Sequence, residues 1–209
     1  MGVYVADFVS AIHLAGFVHG KGIAESVNYT LSMVGGAHGG PVDNTSWNKS
    51  FHGDQEIVAD KYQLCARHIE AQPIVPTYQW VNFTNCLNGY KGIAICTYYF
   101  PNQIQDNAKI CAEATGIDWT ALNSCAMGEI GSELYKASVF YTSDQVAQKV
   151  IPPYGTGKGQ GIPIIRIAGV TYKGTIDAFN GLGDKICKAA NKSPLECGCF
   201  RRETPPGAW

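Results

Sequence analysis

The sequence has little charge and no excess of either sign. Of its 209 residues, 16% are Asp, Glu, Lys or Arg, and 16 basic side chains offset 17 acidic ones for a formal net charge of −1. No basic field is available to hold a phosphate backbone or an anionic membrane, so nucleic acid is not an expected partner. Long hydrophobic runs are also missing. Lys, Glu, Asp or His interrupts each one well short of the roughly 20 apolar residues that span a bilayer, and no transmembrane segment is expected. There are no internal repeats or low-complexity tracts, and no cysteine precedes Cys65. The opening Met1-Gly2-Val3-Tyr4-Val5-Ala6-Asp7 places no basic residue ahead of an apolar run, and Asp7 breaks it early. It does not read as a secretory signal peptide, so either a signal lies upstream of this Met or the chain has none.

What the chain does contain is enough apolar residue, 45%, to bury the core of one domain, which excludes disorder for most of its length. Its eight cysteines, Cys65, Cys86, Cys96, Cys111, Cys125, Cys187, Cys197 and Cys199, form an even set at mostly long spacings. That arrangement fits structural disulfides better than a zinc site. Neither a Cys-x2-Cys nor a His-x3-His pair occurs, and no metal or cofactor is expected. Four N-glycosylation triplets begin at Asn28, Asn44, Asn48 and Asn82, and a poorer fifth at Asn191 is followed by Pro194. Cysteines and triplets together point to a lysosomal or secreted protein.

Periodicity predicts a helix and then a strand before residue 35, since apolar side chains alternate at Val27, Tyr29, Leu31 and Met33. Gly35 to Pro41 ends that strand and opens a polar loop to about Ser50. Asp54 caps a helix to about Glu70, stopped by Pro73 and Pro76. The aromatic stretch from Gln79 to Tyr99 is read as helical. Further helices are expected over about Asn102 to Ala114, from an Asp118 cap to Ala126, and from Glu129 to Val150. Gly155 to Gly161 is a loop. It superficially matches a phosphate loop, but Gly159 follows Lys158 and a strand comes next where that motif needs a helix. Ile162 to Ile167 reads as a buried strand that Gly169 turns into Val170-Thr171-Tyr172, and a last helix runs from Ile176 to Ala190. This order implies an α/β fold, a thioredoxin-like core with an inserted helical block. The domain covers residues 1–192 with the insertion at about 54–150, and residues 193–209 form a cysteine-containing tail.

Three blocks carry a resemblance to a known family. Cys125-Ala126-Met127-Gly128-Glu129-Ile130-Gly131 closely resembles a motif of the gamma-interferon-inducible lysosomal thiol reductase family. Residues 50–65 are similar to its signature Cys-Gln-His-Gly-x2-Glu-Cys-x2-Asn-x4-Cys, keeping His52, Gly53, Glu56 and Cys65, with Asp60 where Asn is usual. Ile162-Pro163 through Gly169 matches its Val-Pro-Trp strand and turn, and Asn28-Tyr29-Thr30 falls where the family has Asn-Val-Thr. The resemblance spans about residues 20–190.

It implies a thioredoxin-like fold, polypeptide or disulfide-containing protein substrates, and a groove lined by Ile162 and by Pro163 as a cis-proline. A cis X-Pro bond costs only about 0.5–1 kcal/mol over trans. It also implies a catalytic Cys-x-x-Cys at the start of the first helix, whose first thiolate attacks substrate sulfur. This sequence departs there. The motif would fall near Val5-Ala6-Asp7-Phe8, or in a looser alignment near His13 to Gly16, and neither contains cysteine. Ser50 and Ile57 replace the first two signature cysteines, and their joint absence implies loss of one disulfide. Cys197-Gly198-Cys199 is the only close pair; a one-residue spacer makes a strained, easily reduced disulfide and so admits a displaced redox site, but the resemblance, whose family carries a cysteine in this region for structural pairing, implies that each sulfur pairs with a distant partner. His52 reads as a structural hydrogen-bonding residue. No catalytic residue is therefore assigned, and a binding scaffold inactive as a reductase is expected. The alternative is an amino-terminally truncated fragment of an active lysosomal or secreted thiol reductase.

Overall fold

The computed structural model describes residues 32–33, 35, 42–50, 53–70, 79–89, 103–151, 164–173 and 182–189. These residues form six helices and one hairpin: α1 (Asp54–Glu70), α2 (Gln79–Gly89), α3 (Ile104–Thr115), α4 (Trp119–Met127), α5 (Glu129–Ala147), β1 (Ile164–Ile167), β2 (Val170–Lys173) and α6 (Leu182–Ala189). The described part is thus mostly helical, with a small two-stranded sheet.

The first helix organises the block. Asp54 and Glu56 in its opening turn and Arg67 and His68 in its last turn have the charge order that a helix dipole favours. It packs against α2, α4 and α5, and few of its residues remain outside. Ala59, Tyr62, Cys65 and Ala66 enter one core cluster with Phe83 and Leu87 of α2, Ala108 and Cys111 of α3, and Leu122 of α4. Ile57 and Leu64, seven residues apart on another face, meet Met33 and, from α5, Tyr135 and Val139.

Local signals set the boundaries. Gly116 ends α3 in the left-handed region at φ 76°, and its N–H reaches back to the carbonyls of Ala112 and Glu113. The Asp118 side chain accepts from Ala121 N at 2.8 Å and caps α4 as expected. Helix α5 ends at Ala147, three residues before the expected Val150. There Gln148 N reaches Asp144 O, and Lys149 turns to φ 58°. In the hairpin, Ile167 pairs with Val170, and the two intervening residues, Ala168 and Gly169, both have positive φ, the geometry that suits a two-residue turn between twisted strands.

The segment before α1 is fastened to α5. Met33 N donates to Ser138 Oγ at 2.8 Å and Val42 N to Ser143 Oγ at 2.9 Å. Trp47 lies 6.1 Å from the Tyr135 ring, with Lys136 Nζ 5.6 Å from the indole. Ser32, Met33 and Gly35 belong to no helix or strand. The rest of the expected 27–34 strand, the elements before it and Pro163 lie outside the described residues.

Candidate functional site

Two of the three blocks of family resemblance meet where α1 packs on α4 and α5. Cys65 and Cys125 are joined there by a disulfide with Cα atoms 5.9 Å apart. One turn before Cys65, Lys61 Nζ donates to Ser132 Oγ at 2.9 Å, and Ser132 Oγ donates to Gly128 O at 3.3 Å. Tyr62 OH donates to Asn123 Oδ1 at 2.7 Å, Gln105 Nε2 reaches the same oxygen at 3.2 Å, and the Tyr62 ring stacks on Trp119 at 5.8 Å. Burial pushes the Tyr62 phenol up to about 12, so it stays protonated as the donor this bond needs. A second disulfide, Cys86–Cys111, ties α2 to α3. These contacts give the signature residues a scaffold role: the sulfurs are buried in disulfides, and the phenol has a fixed partner.

The chain also buries a carboxyl group. Asp60 is 3% exposed and lies one helical turn from Glu56, to which Ser50 Oγ donates a hydrogen bond. Burial first, and then the neighbouring Glu56 charge, hold the Asp60 carboxyl well above its ordinary 3.8. At pH below 3.8 the folded and unfolded chains both hold this proton. As pH rises past that value the unfolded chain releases it while the fold retains it, so stability falls until Asp60 ionises in place. Asp43 acts on the other side. Hydrogen bonds from the Thr45 side chain, then from Thr45 N and Ser46, draw it down to about 2, so its contribution is lost as pH drops from 3.8 toward 2. Asp60→Asn, which installs the amide usual in the resembling family, is expected to flatten the fall in melting temperature between pH 4 and neutrality. Equal slopes for the two proteins would show that Asp60 is not the group responsible.

No protein-family model matches the chain, nor does any curated protein or solved structure. The likeness to the thiol reductases rests on the blocks quoted above, and the structure places their residues unevenly. Glu56, Asp60, Cys65 and Cys125 to Gly131 come together around α1. Val5 to Phe8, His52, Ile162, Pro163, Cys96, Cys197, Cys199 and Asn28 lie outside the described residues, and Cys187 sits on α6. Asn44, Asn48 and Asn82 are exposed. Among the described residues no group of three or more His, Cys, Asp and Glu side chains is placed to hold a metal ion. Among them, too, no helix is long and apolar enough to cross a membrane.

Sequence reasoning missed the polar half of this junction. Nothing in the order of residues links Lys61 to Ser132 or Tyr62 to Asn123, which are 71 and 61 positions apart. The one available signal is position: Lys61 and Tyr62 fall between Asp60 and Cys65 of the signature, and Asn123 and Ser132 flank the Cys125 to Gly131 string.

Proposed function

We propose that this chain is a luminal, disulfide-stabilised protein of the gamma-interferon-inducible lysosomal thiol reductase type, with a thioredoxin-like core. On this reading it binds polypeptide or disulfide-containing protein ligands in a groove beside Ile162 and Pro163, and it does not reduce them. The observation that carries the reading is the state of the sulfur. No cysteine precedes Cys65, and Cys65, Cys86, Cys111 and Cys125 are all held in disulfides. At the family's amino-terminal position thiol–disulfide exchange needs an attacking thiolate and a second sulfur to resolve the mixed disulfide, and no arrangement of Ser, His or Asp there replaces them. Support for the family reading comes from the way residues 50–65 and 125–131 converge on one disulfide-linked junction.

The test is an assay on denatured, disulfide-bonded immunoglobulin at the acidic pH of a lysosomal lumen, with a small thiol as reductant. Saturable binding is expected, with thiol release no faster than that produced by a variant whose cysteines are all replaced by serine. Turnover above that control would overturn the non-reducing assignment, and failure to bind would overturn the scaffold assignment.

A further inference from the structure

Three of the glycosylation triplets fall among the described residues, and their asparagines share one property. Asn44 and Asn48 are exposed in the turn ahead of α1, and Asn82 is exposed on α2. The hydroxyls that complete the triplets are engaged instead. Ser46 Oγ donates to Asp43 Oδ1 at 2.9 Å and accepts from Asp43 N at 3.0 Å. Ser50 Oγ donates to Glu56. Thr84 is 3% exposed, beside Phe83 at 0% and in the same helix as Leu87 at 1%. The folded surface therefore has room for a sugar at each asparagine, while the hydroxyl that completes the triplet is held in a hydrogen bond at Ser46 and Ser50 and buried at Thr84.

From this geometry we infer that the 44–48 turn and Asn82 carry N-linked glycans attached before the helical block closes, and that at Asn82 attachment competes with formation of the Cys86–Cys111 disulfide. The donor is a lipid-diphosphate-linked oligosaccharide. The asparagine Nδ2 forms a bond to the sugar C1, the C1–O bond to the diphosphate breaks, the lipid diphosphate leaves, and one amide proton is released to base. No oxidant or reductant is involved. The competition follows from the layout of α2. Cys86 lies one helical turn beyond Asn82, and its bond to Cys111 draws α2 onto α3 and the core that holds Phe83 and Leu87. Once that bond forms, Thr84 is withdrawn with the rest of the buried face. The 44–48 turn carries no cysteine, so the same bond leaves it open to modification until Ser46 and Ser50 take up their hydrogen bonds in the fold.

This inference rests on the luminal placement proposed above and not on the lack of reductase activity. The full chain behind a cleavable secretory leader is expressed in eukaryotic cells, treated with peptide N-glycosidase, and mapped by mass spectrometry for the Asn to Asp conversion that marks each occupied site. Conversion is expected in the 44–48 turn and, partially, at Asn82. In the Cys86→Ser, Cys111→Ser variant, measured on total chain whether or not it folds, the occupied fraction at Asn82 is expected to rise while that of the turn stays level. Equal occupancy at Asn82 in both proteins overturns the competition. Secreted protein with none of the three sites converted overturns the whole inference and leaves the binding reading standing, whereas a glycosylated chain that turns over disulfides does the reverse.

Discussion

Replacing Cys65 and Cys125 together by alanine is expected to lower folding stability by about 4 kcal/mol. The bond closes a loop across 60 residues and joins the central helix α1 to α4. Without it the unfolded chain regains the freedom to separate those ends, and by loop-closure entropy that freedom grows with the logarithm of the span. The Cys86–Cys111 bond closes only 25 residues and lies wholly inside the larger loop. Removing it alone is expected to cost about 3.5 kcal/mol. Because the inner bond shortens the free path between Cys65 and Cys125, the two losses will not add independently. Unfolding by denaturant under non-reducing conditions reads both as lowered midpoints, with a steeper slope where the unlinked unfolded chain exposes more surface. A midpoint unmoved by the loss of Cys65 and Cys125 would mean that this pairing does not hold the block together.

The second large effect is expected from a single methyl group. Gly131 is buried in the first turn of α5, and a Cβ there would stand 2.5 Å from Cys125 O and 2.8 Å from Ala126 O. Both are backbone atoms, so no side chain can swing aside. The α4–α5 corner would have to open, and overpacking of this kind costs about 1–3 kcal/mol. Gly131→Ala is therefore expected to destabilise by the upper part of that range, and Gly131→Val by more. The carbonyl in the way belongs to the cysteine that bonds Cys65, so the two constraints share one piece of backbone. A double-mutant cycle between Gly131→Ala and loss of the Cys65–Cys125 bond should show coupling, with Gly131→Ala costing less once the bond is gone. Strict additivity would refute the shared constraint.

These effects explain why the string from Cys125 to Gly131 is so specific in composition. Cys125 supplies the bond, Gly128 lies between α4 and α5, and Gly131 admits the close approach of the two helices. A string that looks like a functional motif is explained here by packing. The departures from the signature are equally physical. Ile57, where the resembling family has cysteine, fills the cluster with Met33, Leu64, Tyr135 and Val139. Ser50, at the other such position, has become a hydrogen-bond donor to Glu56.

Much of the described fold is legible in the amino-acid sequence, because the signals are local. The helix expected from Asp54 to about Glu70 spans those bounds, with Asp54 as its first helical residue, Asp118 caps α4 through its own side chain, and Gly169 turns the hairpin. Each of these depends on residues within a turn or two of one another. The end of α5 falls three residues short of its expected place, since nothing in Gln148-Lys149-Val150 announces a stop and Lys149 adopts positive φ without being glycine.

By itself the amino-acid order determined that helices lie in each of the described helical segments, that eight sulfurs are available, and that none lies ahead of Cys65. Only the tertiary arrangement decided that Cys65 meets Cys125, that Cys86 meets Cys111, that Asp60 is buried beside Glu56, and that Asn82 is exposed while Thr84 is not. The reason is the range over which each is set. Caps and periodicity act through bonds to near neighbours in the chain, whereas pairing and burial depend on which helix faces pack together, and that choice belongs to the core as a whole.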